Sequence, residues 1–445
     1  MKVSQRGISF HRSGPRSNPY RMMVWGAFIV TGLIVLGAIG NGQIQPLFLP
    51  TPTPTRSAPS FREEGAAFFE AGNLDAAIQA YGDALEVAPN DYRGWAELAR
   101  IQAYSSSLLT LDRKRDRLAE ARASIDRAVE LAPDDGYVHA VRAFVLDWSA
   151  GASGNSTDYE VFLAEASTEA IRAVLIDNQS AIVLAYRAEI YADQAQLTQA
   201  FQYAELALAA DPNSFDARRV YAYVLEANGD YGQAIDQYRQ AAEIAPNLTF
   251  LYISIGQNYR QLGLYDQALE YFDQAASINL GLGINDPLPY VAIAKTYSRM
   301  GEFFAAALNA ERAIEFDPTN PDLYGQLGVV YFRSRNYEGS IPALKCAVIG
   351  CTGQENPIVG CPPSGEGTPE ASQACTTGIA VSGSPLDNDT LVYYYTYGSV
   401  LAALDQCDLA IPILDQLRAA YSGDELVMGI VNENYNVCEN LAAQN

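Results

Sequence analysis

The sequence predicts an all-α protein: about nine similar helix pairs stacked as an α-solenoid, preceded by one transmembrane helix and a Pro/Thr-rich linker. Three observations lead there. A pattern of small and aromatic residues recurs through most of the chain, with Pro212 and Pro246 marking one period of 34 residues. A run of 19 residues, Met22 to Gly40, carries no charge. Across all 445 residues, 49% are hydrophobic and 18% charged. That is too apolar for wholesale disorder and too polar for a multi-pass membrane protein.

The elements are taken in chain order. Residues 1–21 form a basic tail with Lys2, Arg6, Arg12, Arg16 and Arg21 and no acid. Residues 22–42 are the transmembrane helix. At about 1.5 Å per residue its uncharged run reaches across a hydrocarbon layer. Basic residues precede it and none follows until Arg56, so the tail is expected in the cytoplasm and the rest outside it. A cleaved signal ending near Ala38-Ile39-Gly40 is the competing reading, but a signal core is usually shorter. Residues 43–60 alternate Pro and Thr through their middle, and proline fixes φ and removes donors, so an extended linker is expected.

Residues 61–350 hold the first eight repeats. Gly72-Asn-Leu-Asp-Ala-Ala-Ile-Gln-Ala-Tyr81 aligns with Gly229-Asp-Tyr-Gly-Gln-Ala-Ile-Asp-Gln-Tyr238 at its Gly, second Ala, Ile and Tyr, and each run continues to a proline, Pro89 and Pro246. Gly263 to Ala275 and Gly301 to Pro318 repeat the motif. Small residues recur where two helices must approach: Gly65, Ala99, Ala143, Ala188, Ala222, Gly256, Ala294, Gly328 and Gly398 in the first helix of each pair. Glycine at 72, 229, 263 and 301 suits a left-handed helix end. Tyr81, Tyr191, Tyr238, Tyr259, Phe272, Tyr297 and Tyr331 fall at core spacing. His139 is expected to pack rather than to catalyse.

This combination resembles the tetratricopeptide repeat, whose 34-residue unit is a helix–turn–helix closed by a proline. The resemblance implies a right-handed solenoid with an inner groove, lined by the first helix of each pair. Nine units start near residues 58, 92, 136, 181, 215, 249, 287, 321 and 391. Insertions are expected between the helices of the second and third units, around Ser105–Asp116 and Ser149–Asp158, and a short one at Gly281–Asp286. Residues 351–386 form a Cys/Gly/Pro-rich insertion. Residues 387–445 carry the last repeat and an amphipathic helix, roughly Asp424–Ala443, that caps the stack.

All six cysteines follow residue 345. An even number in an exported segment reads as disulfides. Cys407 with Cys438 is the expected pair. Cys346, Cys351, Cys361 and Cys375 leave three connectivities open, with a four-thiolate zinc site as the rival use.

The resemblance places positions 2, 5, 9, 12 and 13 of each first helix on the groove. In repeats five to eight these include Arg219, Tyr223, Arg260, Lys295, Arg299, Phe332 and Arg333, a basic stripe in a chain of net charge −23. Arginine pairs carboxylates bidentately, so the stripe suits an acidic peptide or anionic glycan. Asn is absent from these positions, unlike the family's clamp for C-terminal peptides. Residues 63–445 hold 22 basic and 52 acidic side chains, which argues against nucleic-acid backbone binding. With two histidines, His11 and His139, and no phosphate loop, nucleophile elbow or HExxH, no catalytic residue, cofactor or metal is assigned. The expectation is a non-enzymatic scaffold holding a protein or peptide partner outside the cytoplasm. A surface protein that binds envelope glycan or another anionic polymer is the alternative.

Overall fold

The computed structural model describes residues 18–40, 56–358 and 379–442. The start of the basic tail, most of the linker, and Cys361 and Cys375 lie outside these. Residues 1–56 and 57–445 are separate compact units. In the first, α1 (Pro19–Gly40) is an apolar helix of 22 residues. Its stretch Pro19–Ala38 is long and apolar enough to cross a membrane.

The second unit is an array of nine helix pairs among the described residues. The first three are α2 (Ala58–Glu70) with α3 (Leu74–Val87), α4 (Tyr92–Ser106) with α5 (Leu111–Leu131), and α6 (Gly136–Gly151) with α7 (Ser156–Ile176). Next come α8 (Ala181–Asp193) with α9 (Leu197–Ala210), α10 (Phe215–Ala227) with α11 (Tyr231–Ile244), and α12 (Thr249–Gln261) with α13 (Tyr265–Leu282). The last are α14 (Leu288–Met300) with α15 (Phe303–Phe316), α16 (Pro321–Arg333) with α17 (Tyr337–Val348), and α18 (Leu391–Ala403) with α19 (Cys407–Ala420). The final helix, α20 (Glu425–Ala442), packs on α18 and α19 and buries Val427 and Val431.

The local chemistry explains the pairs. Asn73, Asp91, Asp135 and Ser214 each cap a helix by accepting a hydrogen bond from a backbone amide of its first turn. At the turn between paired helices the backbone becomes left-handed, with φ 86° at Gly229 and 74° at Gly263. Repeats four, eight and nine make the same turn without glycine, at Ala195 (φ 56°), Arg335 (62°) and Asp405 (64°). Small residues mark close approach. A Cβ on Gly256 would lie 2.5 Å from the Phe272 ring, and one on Gly65 2.5 Å from the Tyr81 ring.

The second and third repeats depart from expectation. Their extra residues are not loops between helices: α5 and α7 are each 21 residues long, and only short turns precede them. Leu111–Leu131 is rich in Arg, Asp, Glu, Ala and Leu, mostly strong helix formers with i,i+3 ion pairs such as Arg117–Glu120. The 351–386 insertion is pinned at its foot. Strands β1 (Gly350–Cys351) and β2 (Val381–Ser382) pair antiparallel, and Cys346 is disulfide-bonded to Cys351. Cys407 is bonded to Cys438, tying α19 to α20.

The array also closes on itself. The turn before α5 meets the start of α16: Arg113 pairs with Asp317 at 3.0 Å, Thr110 Oγ1 donates to Asp317 at 3.4 Å, and Asn320 Nδ2 donates to Thr110 Oγ1. Arg115 pairs with Asp387 at 3.2 Å and Asp389 at 2.9 Å. Repeat two thus touches repeat eight and the segment before repeat nine.

Candidate binding site on the inner face

Closure fills part of the inner surface with the protein's own side chains. Tyr104 of α4 stacks on Phe250 of α12, with ring centres 5.6 Å apart, and lies edge-on to Trp148 of α6. The hydroxyls of Tyr104 and Tyr186 both donate to Asp216, which also pairs with Arg100 at 3.2 Å. Arg219 forms a two-pronged pair with Glu189, at 2.7 and 2.5 Å, and both are buried. Bidentate arginine–carboxylate geometry is strong, and a buried charge needs such a partner. Arg219, expected to face a ligand, is therefore bonded within the protein, and the half-buried Tyr223 gives its hydroxyl to Asp193 while its ring stays on the cavity wall.

Two adjoining cavities remain open. The larger, about 500 Å³, is walled by Trp148, Tyr223, Phe250, Ile253, Lys114 and Asp147, among others. The smaller, about 380 Å³, is walled by Ser298, Arg299, Val329, Arg333 and Tyr393, among others. Arg260, Val291 and Lys295 line both. Of the seven groove residues expected from sequence, Arg219, Tyr223, Arg260 and Lys295 thus line the larger cavity, and Arg260, Lys295, Arg299 and Arg333 the smaller. Phe332 lies in neither wall and packs against Tyr337, ring centres 5.8 Å apart.

The helix period makes the stripe. Lys295 and Arg299 sit one turn apart on α14, so they share a face, with Arg260 on the last turn of α12 and Arg333 on the last turn of α16. No carboxylate of the described residues lies within ion-pair distance of these four. Arg260 Nη1 donates to the Ala292 carbonyl at 3.3 Å and Arg333 Nη1 to Ser298 Oγ at 3.4 Å; among the described residues, the side chains of Lys295 and Arg299 have no hydrogen bond. Nearby acids are engaged elsewhere, Asp322 by the Tyr393 hydroxyl and Asp389 by Arg115. Enclosure by the cavity walls lowers the affinity of Lys295 for its proton; Asp322 opposes this and Arg260 adds to it. Burial, then the charge of Arg299, does the same to Arg260.

On the opposite wall, burial and then Asp193 raise the Asp147 carboxyl well above the usual range. Lys114, on the first turn of α5, completes the larger cavity with no hydrogen bond or ion pair from its side chain among the described residues. Sequence reasoning missed Lys114, because only closure brings α5 over the inner face. His139 is buried, with Nδ1 against Glu169 at 2.5 Å and Nε2 against the Pro133 carbonyl at 2.8 Å, and reaches neither cavity.

Parts of the chain resemble known proteins. The sequence model of the tetratricopeptide repeat matches residues 309–341. That of anaphase-promoting complex, cyclosome, subunit 3 matches residues 193–275. The BBSome complex member BBS4 of Bos taurus is 30% identical over 122 residues, 27% of this chain and 22% of that protein. The chain therefore spans less than a quarter of that curated relative. Among solved structures, a thermophilic tetratricopeptide protein of Thermus thermophilus shares 20% identity at a TM-score of 0.38, covering 45% of this chain and 98% of that one. The human IFIT1 dimer with PPP-AAAA shares 19% identity at a TM-score of 0.45, covering 65% and 71%.

Proposed function

We propose that this tetratricopeptide-like array is a non-enzymatic scaffold, anchored by α1 and holding a protein partner in its inner face outside the cytoplasm. The observation that carries the reading is the set of uncompensated cations, Arg260, Lys295, Arg299 and Arg333, on the walls of two adjoining cavities. A protein with net charge −23 that keeps four cations together with no carboxylate of the described residues at ion-pair distance is arranged to meet negative charge from outside. The cavities are too narrow for a folded domain, so in this reading the partner enters as an extended acidic segment. The basic tail before α1 and the Cys346–Cys351 and Cys407–Cys438 bonds support the proposed orientation, since disulfides persist in oxidising compartments.

The test is affinity capture of the full chain from native membranes after cross-linking at native salt. The reading expects a protein partner that is lost when Arg299→Glu is combined with Arg333→Glu. Recovery of no partner, or equal recovery by the charge-reversed variant, contradicts it. Binding to purified wall polymer instead, abolished by Arg260→Glu with Arg299→Glu, would replace the protein partner with an envelope polymer.

A further inference from the structure

We propose that the junction of the two cavities is a seat for one compact group bearing at least two negative charges, either paired carboxylates or a phosphoryl group. Arg260, Lys295 and Arg299 are its contacts, and Lys114 faces it from the second repeat. The inference rests on the inner face being the binding surface, and adds the chemistry that this surface selects.

Four observations converge on the junction. Arg260 and Lys295 are the charged residues common to both cavities, and Arg299 follows Lys295 by one helical turn. Like charges one turn apart and on adjacent helices repel, more strongly in a walled cleft than in open water. That repulsion acts within the protein: the charge of Arg299 bears on Arg260, and that of Arg260 on Lys295. The Nε atom of Arg260 is buried without a hydrogen-bond partner, so one fixed donor of its guanidinium is unused. A carboxylate or phosphoryl oxygen placed between the guanidinium groups and the Lys295 ammonium would relieve the repulsion. Trp148, Phe250, Ile253 and Val291 beside the seat give the rest of the ligand an apolar bed.

The second repeat adds selectivity. Thr110, Arg113 and Arg115 fix the first turn of α5 against Asp317, Asp387 and Asp389, which holds Lys114 over the larger cavity. A ligand reaching both Lys114 and Lys295 would bridge the second and seventh repeats and tighten the closed array.

The experiment is titration calorimetry on the full chain in detergent micelles, with citrate, inorganic phosphate and a hexaglutamate peptide as separate probes. At least one probe is expected to bind, and Lys295→Gln combined with Arg299→Gln is expected to weaken it tenfold or more. The same variant should melt no lower than the wild type, because removing uncompensated like charges relieves repulsion; a merely structural role predicts a lower melting temperature. Binding of citrate or phosphate identifies a free anion as sufficient, and binding of the peptide alone assigns the charges to a partner's side chains. If none of the three binds better to the wild type than to the double variant, the seat is refuted. If Lys114→Gln binds as tightly as wild type, the part played by repeat two is refuted. Partner capture that persists while no anion binds would sink the seat alone; anion binding without any captured partner would sink the scaffold reading alone.

Discussion

Ala195 shows how much of a turn can be read from residue types. In repeats with glycine at the end of the first helix, the left-handed backbone is legible in the sequence. At Ala195 the same φ of 56° is imposed by the repeats on either side, against the residue's own preference. Ala195→Gly is therefore expected to stabilise the protein by about 0.5–1 kcal/mol, the left-handed penalty less the entropy glycine adds to the unfolded chain. Urea titration of both proteins checks this; a lower midpoint for the variant contradicts it. Gly256 is the converse case, fully legible because nothing larger fits beneath Phe272. Gly256→Ala should cost about 1–3 kcal/mol through overpacking, and Phe272→Leu in the same chain should restore part of the loss. If the two changes instead add independently, close approach is not the reason for the glycine.

At the scale of elements, helix starts were readable because caps, small residues and prolines recur in phase. The fate of the added residues was not. Ser105–Asp116 carries serines and charges suited to a loop or to a helix, and only contact with the eighth repeat decides that α5 begins at Leu111. The short insertion before α14 is held by a buried chain of hydrogen bonds. Thr249 Oγ1 donates to Asn279 at 3.0 Å, Asn279 Nδ2 to Asp286 at 2.8 Å, and the Leu288 amide to Asp286 at 2.9 Å. Burial dominates these bonds and pushes the Asp286 carboxyl up to about 7. Its folded-state affinity for a proton thus exceeds that of the unfolded chain, near 4. The contribution to stability is fully present below about pH 4 and is lost as pH rises through about 7. Thermal scans from pH 5 to 8.5 should therefore show Asp286→Asn gaining on the wild type as pH increases; a constant difference between them contradicts the assignment. The Cys407–Cys438 bond closes a loop with a sequence separation of 31 and ties the capping helix to the last pair. Cys407→Ala with Cys438→Ala should cost roughly 3–4 kcal/mol by loop entropy, read from the same urea titration.

For the whole molecule, the sequence revealed the repeat architecture and the basic stripe but not closure. Periodicity reports contacts between neighbouring repeats, and closure is made by residues some two hundred positions apart, such as Arg113 and Asp317. Charge alone gave no means of separating Arg219, bound to Glu189, from Arg260 and Lys295, which are uncompensated. Asp317→Ala should open the contact. Hydrogen exchange is expected to rise in residues 107–115 and 385–390 together, while α10 to α13 keep their protection. A rise confined to the neighbourhood of residue 317 would mean that closure does not hold the array.

The inner face as the partner surface is tested most directly by a photo-reactive amino acid placed in the full chain within native membranes. One protein would carry it at Gln257, on the wall of the larger cavity, and a second at Leu308, exposed on α15. Gln257 is expected to cross-link to an acidic stretch of a protein partner, Arg299→Glu with Arg333→Glu to abolish the product, and Leu308 to give none. A product formed at Leu308 and indifferent to charge reversal would contradict it.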